Sequence, residues 1–115
     1  MTMIRLPWPP AKSSANGSQG DYQGKARAGK SYKSQCAWEC VAQRVPRNLT
    51  AVDSVSITLH PPRNGKYDLD NHLAKMKRGL DAVSEHIGVD DSLWQSMHLY
   101  RGKKVEGGCV VVVIK

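Results

Sequence analysis

Leu69, Leu73, Met76, Leu80, Val83 and Ile87 recur at intervals of three and four, and no other stretch of the chain commits so firmly to one structure. With about 3.6 residues to a helical turn, this spacing draws a single narrow apolar stripe along one face. Gly88 stands where the helix must stop, since glycine adopts the left-handed conformation that helix C-termini favour. An apolar stripe of that kind needs a surface to pack on.

The remaining apolar patterns supply that surface. Residues 3–6 read as a short strand, halted by Pro7-Trp8-Pro9-Pro10, whose prolines cannot donate to a ladder. Over 52–60, Val55, Ile57 and Leu59 alternate with Ser54, Ser56 and Thr58, the pattern of a half-buried strand. Residues 94–100 form another plausible strand, and 109–114 are an almost continuous β-branched run. These last two strands pair most simply as a hairpin. Tyr32, Cys36 and Cys40, with Ala37 and Val41 beside them, predict a first helix over 31–43, ended by Pro46. Between 11 and 29 the chain turns to Ser, Gly, Asn, Gln and Lys without an apolar period, and reads as a flexible basic loop. The expected fold is α/β (α+β), a small mixed sheet of about four strands with two helices. A chain of 115 residues suits one domain spanning 1–115 and is too short for two.

Seventeen lysines and arginines against ten acids give a net charge of +7, which points to a polyanionic partner, nucleic acid first. Cys36, Cys40 and Cys109 are odd in number and lack the paired spacing of a zinc site, so they read as buried thiols in a reducing compartment. No secretory signal opens the sequence and no apolar run reaches bilayer length, so the expected location is cytoplasmic, with no membrane partner. Gly24-Lys25-Ala26-Arg27-Ala28-Gly29-Lys30-Ser31 matches the letters of a phosphate-binding loop. No apolar strand leads into it, so no nucleotide cofactor is expected. Lys12, Lys25, Arg27 and Lys30 read instead as loop cations available to a DNA backbone, along with Arg63 and Lys66 further on.

Against this basic background, acid is concentrated in Asp68-Leu69-Asp70-Asn71 at the start of the striped helix and in Asp90-Asp91 just past its end. Carboxylates so placed can converge on a hard divalent cation such as Mg²⁺. Either aspartate of the first motif, taken alone, also fits a helix N-cap, and Asp90-Asp91 alone fits a turn. Two aspartates together exceed what one cap requires, and their mutual repulsion is relieved by a cation or by Arg63 and Lys66.

The chain resembles the RusA-type crossover junction endodeoxyribonucleases, small dimeric resolvases of bacteria and their phages. The resemblance runs from Leu6-Pro7-Trp8-Pro9-Pro10 through Asp68-Leu69-Asp70-Asn71 and Leu80-Asp81-Ala82-Val83 to Val89-Asp90-Asp91-Ser92. It implies that Asp68, Asp70 and Asp91 bind Mg²⁺, with Mn²⁺ able to substitute, and serve cleavage, while Asp90 and Asn71 support them. It also implies a homodimer that nicks a four-way DNA junction symmetrically in recombination and repair. In the family a lysine usually follows the D-x-D-N motif by one turn; here that position is Ala74, with lysines at 75 and 77. At about 100° per residue Lys77 returns to within about twenty degrees of Asp70, and counting back from Asp81 selects the same residue as the catalytic lysine, whereas counting forward from Asp70 reaches Ala74 and leaves Lys75 open. The glutamine expected close after the acidic pair is displaced to Gln95. Two other readings stay open: a metal-dependent nuclease acting on other branched or single-stranded nucleic acid, and a non-catalytic DNA-binding module.

Overall fold

A computed structural model describes residues 1–10 and 22–115. Its elements run β1 (Thr2–Pro7), α1 (Tyr22–Ala42), β2 (Val55–His60), α2 (Leu69–Lys75), α3 (Lys77–Ile87), a 3₁₀ turn (Asp91–Leu93), β3 (Met97–Arg101) and β4 (Cys109–Ile114). The four strands form one mixed sheet in the order β1-β4-β2-β3. β4 is antiparallel to both β1 and β2, and β3 lies parallel to β2. Ile4, Val112, Ile57 and Leu99 sit side by side in one row across the sheet. Together with Leu6, Val110, Leu59, Val55 and Ile114 this row builds the core against Tyr32, Cys36 and Cys40 of α1 and Leu80, Val83 and Ile87 of α3.

The mixed sheet agrees with the sequence reading, and four details differ. The expected hairpin of the last two strands does not form: β4 lies between β1 and β2, and β3 pairs with β2. β4 is the most apolar strand, with four of its six residues buried, and it takes a central place with a paired strand on each side. β3 is largely exposed and takes an edge, and it is shorter than the 94–100 expected because the 3₁₀ turn precedes it. The segment 22–29, read as part of the basic loop, is helical and belongs to α1. Among the described side chains of this segment, 26 and 27 are exposed and the buried position is Gly29, which packs against Arg78, so burial leaves no apolar period there. Residues 24–31, inside this helix, do not form the strand-to-helix loop of a phosphate cradle.

The striped helix is two helices, which makes three among the described residues. The Met76 N–H is shared between the carbonyls of His72 (3.2 Å) and Leu73 (3.0 Å), which tightens the last turn of α2 before α3 begins at Lys77. Met76 itself is fully buried, and the Tyr32 hydroxyl, 3.2 Å from its Sδ, also donates to the Pro7 carbonyl at 2.7 Å. The break is thus held from α1 and from the end of β1. Gly88 closes α3 in the left-handed conformation, as its position in the sequence suggests. Buried His86 donates Nε2–H to the Val45 carbonyl at 2.8 Å, tying α3 to the chain that follows α1. No helix among the described residues is long and apolar enough to cross a membrane.

Candidate functional site

The loop after β2 carries the chain over Pro61 and Pro62 and sets Asp68 at the N-cap of α2 in an extended conformation. The Asp68 side chain makes no capping bond there. Its Oδ2 accepts instead from the Asn71 side-chain amide at 3.2 Å, while Asp70 Oδ1 accepts from the Asn71 backbone N–H at 3.0 Å. Asn71 therefore links the two aspartates, one through its side chain and one through its backbone. Both carboxylates are exposed. The capping role that position alone allowed for Asp68 is not the one its carboxylate plays.

Past α3, the Val89 carbonyl accepts from Ser84 Oγ (3.1 Å) and from Trp94 Nε1 (3.2 Å), which fixes the approach to the second acidic pair. Asp90 caps the 3₁₀ turn through its Oδ1, which accepts from the Ser92 N–H at 3.0 Å. That backbone bond, followed by the contact with Asp91, holds the Asp90 carboxyl below the ordinary range. Asp91 meets Lys77, whose Nζ lies 2.9 Å from Asp91 Oδ2 and 3.1 Å from Asp81 Oδ1. The bond to Asp91, then that to Asp81, raise the Lys77 pKa, so the ammonium is firmly charged.

The break at Met76 undoes the angular argument that set Lys77 beside Asp70 on one continuous helix. The partners that the structure gives Lys77 are Asp91 and Asp81. Asp81 was missed as a partner, although an i,i+4 lysine–aspartate pair on a helix is a readable signal. Lys75 is elsewhere, on the wall of a cleft described below. Among the described residues no three of His, Cys, Asp or Glu converge tightly enough to hold a metal ion. The aspartates stand in two groups: Asp68 and Asp70 around Asn71, and Asp91 against Lys77. Their donor set is carboxylate oxygen throughout, the chemistry that a hard divalent cation takes, and the exposed Asp68 and Asp70 keep lone pairs for it.

Next to the first group opens a cleft of about 610 Å³. Its wall includes the rings of Trp8, Tyr67 and His72 and the cations Arg63, Lys66 and Lys75. His72 Nδ1–H donates to the Asp68 carbonyl at 3.3 Å, so the cleft and the D-x-D-N motif share one piece of backbone. Arg63 and Lys66, nominated from sequence as DNA cations, thus lie beside the aspartates. Sequence reasoning did not pick out Trp8 or His72 as members of a cleft, since the segments that carry them are far apart along the chain. Arg27 and Lys30 are exposed on α1, and Lys30 lies near Arg78 and Lys33 in a smaller groove. Lys12 and the side chain of Lys25 fall outside the described residues. No protein-family model matches this chain, and no curated protein does.

Proposed function

We propose that this protein is a Mg²⁺-dependent, structure-specific endodeoxyribonuclease of the RusA type, which resolves four-way DNA junctions by symmetric nicking. The observation that supports this best is the pairing of exposed, non-capping aspartates with a cleft whose charged lining, among the described residues, is the cations Arg63, Lys66 and Lys75. In a protein of net charge +7 that combination suits phosphates held by cations next to carboxylates that hold a metal. A plain binding surface has no use for the exposed, non-capping carboxylates beside those cations.

In this reading Asp68 and Asp70 would hold the divalent cation, Mg²⁺ or Mn²⁺, and Asp91, which stands apart on Lys77, would close on it to complete the set. When bound, such an ion supplies an activated water and neutralises charge on the leaving oxygen. Asn71 orients the first two carboxylates, and Asp90 fixes the turn that presents Asp91. Lys77 keeps Asp91 in place and offers its ammonium to the charge that develops on the phosphate. Arg63 and Lys66 hold the neighbouring phosphates. A four-way junction has two-fold symmetry, and a homodimer with one such site per protomer matches it.

The test is a panel of end-labelled junction, flap, duplex and single-stranded DNA, incubated with Mg²⁺, Ca²⁺ or EDTA. Paired nicks in the junction with Mg²⁺, and binding without cutting in Ca²⁺, support the proposal. Cleavage that favours flaps or single strands assigns the protein to another class of metal-dependent nuclease. Tight binding with no cleavage in any metal leaves a DNA-binding module.

A further inference from the structure

The cleft beside Asp68 carries rings that phosphate binding and metal binding do not require. Trp8 arrives from the end of β1, Tyr67 immediately precedes Asp68, and His72 lies in α2. The Trp8 and His72 ring centroids are 5.2 Å apart and tilted by 46°, and His72 meets Tyr67 edge-on at 4.7 Å. The Arg101 guanidinium lies over the Tyr67 ring at 4.6 Å, which fixes that ring from behind. A fourth segment closes in at Gly108, in a left-handed conformation with φ of 72°. A Cβ there would stand 2.9 Å from Trp8 Cβ and 3.0 Å from Pro62 Cδ, so this backbone has to be glycine to sit against both. Remote segments are thus brought together to form one ring-lined wall, and among the described residues no carboxylate belongs to the cleft lining.

The volume of about 610 Å³ falls in the range of small-molecule sites and exceeds what a single phosphate needs. Paired bases in a duplex have both faces stacked, so an intact duplex has no base face to give these rings. A strand with an unpaired position does. We propose that the cleft takes one unstacked nucleotide of a DNA strand, its base against Trp8 and His72 and its flanking phosphates on Arg63, Lys66 and Lys75. This deepens the nuclease reading and rests on its nucleic-acid half, not on catalysis: the enzyme would recognise a branch point by a nucleotide that has left the stack. The seat lies next to Asp68, so that nucleotide is a near neighbour of the phosphate to be cut.

The experiment compares a thymidine octanucleotide with an octamer of abasic tetrahydrofuran units, equal in charge, bound to the full chain in EDTA. Stacking of one or two bases predicts that the thymidine oligomer binds about 5- to 100-fold tighter. Trp8→Leu should erase that ratio while leaving abasic binding unchanged, and Trp8→Phe should restore most of it. Lys75→Ala should weaken both oligomers alike. Photocrosslinking of a 5-iodouracil octamer to the unaltered protein should map to Trp8, Tyr67 or His72, a readout that survives if the Trp8 variants fail to fold. Equal affinity for the two oligomers, or crosslinks that map away from this cleft, would overturn the proposal. The nuclease reading is judged separately in Mg²⁺: base-dependent binding without cutting keeps this seat and ends that reading, and cutting without base dependence does the reverse.

Discussion

α2 and α3 are consecutive stretches of one apolar stripe, yet they are buried to very different degrees. α3 buries Gly79, Leu80, Ala82, Val83, His86 and Ile87 against α1 and the sheet, whereas α2 buries none of its seven residues. Leu69 and Leu73 rest partly buried on the rim of the core, and this leaves the start of α2 free to present Asp68, Asp70 and Asn71. The C-terminal part of the stripe anchors, and its N-terminal part presents.

The largest expected effect lies on the exposed side. Asp70→Asn and Asp91→Asn should each remove Mg²⁺-dependent cleavage by about 10³-fold or more, because the carboxylates hold the metal, while junction affinity stays level or tightens because cations supply it. Thermal melts should hardly move for Asp70→Asn, since α2 buries nothing. Wild-type turnover by either variant would end the metal-site proposal, and a large loss of stability in Asp70→Asn would show that α2 is part of the anchor after all.

Next in size, Lys77→Ala should lower the cleavage rate by about 10²-fold with little change in affinity, as expected for a group that acts on the transition state. Lys75→Ala should leave the rate almost unaltered and weaken binding, because its place is on the cleft wall. Single-turnover rates and binding isotherms on one labelled junction separate the two effects. A greater loss of rate at Lys75 would reverse the assignment of the two lysines.

On the buried side, the close approach of α1 and α3 runs through Gly79. A Cβ at that position would lie 2.8 Å from Tyr32 Cε2 and 3.1 Å from Cys36 Sγ. Tyr32 cannot yield cheaply, being 1% exposed and bonded to both Pro7 and Met76. Gly79→Ala gains about 1 kcal/mol of helix propensity and should still destabilise the fold by about 1–3 kcal/mol through overpacking. Urea denaturation measures this. A stabilised Gly79→Ala would mean that the two helices slide apart at no cost, and that the break at Met76 is not held from α1.

These two sides were unequally legible in the sequence. Burial writes itself as periodicity, so the cores of β1, β2, β4 and α3 and the buried face of α1 at Tyr32, Cys36 and Cys40 were readable from apolar spacing alone. The N-terminal turns of α1 were not, because their buried position is a glycine and carries no hydropathy signal. The place of β4 depends on which strands compete for the centre of a sheet, a tertiary matter that no single strand's pattern contains. The D-x-D-N motif was visible because its residues are contiguous. The cleft was hidden because Trp8, Tyr67 and Gly107 come from distant parts of the chain, and the Met76 break because a shared N–H leaves the apolar stripe unchanged.

The last expected effect, absent at neutral pH, is a pH dependence of the anchor. Cys36 and Cys40 are fully buried, and burial pushes their thiols up to about 12 and about 11. In the unfolded chain a cysteine ionises near about 8.5, so above that pH the unfolded state releases protons that the folded state keeps. A group whose folded pKa is raised contributes stability that is complete below the unfolded pKa and is lost as pH rises through the folded one. Stability to urea should therefore fall between about pH 8.5 and 11, and a Cys36→Ala, Cys40→Ala double variant, less stable at neutral pH, should show a shallower fall. The Asp70→Asn variant should follow the parent curve throughout, since none of this titration belongs to α2. An equal slope in the parent and the cysteine variant would show that these thiols open to water before the fold does, and would place α1 on the mobile side of the comparison.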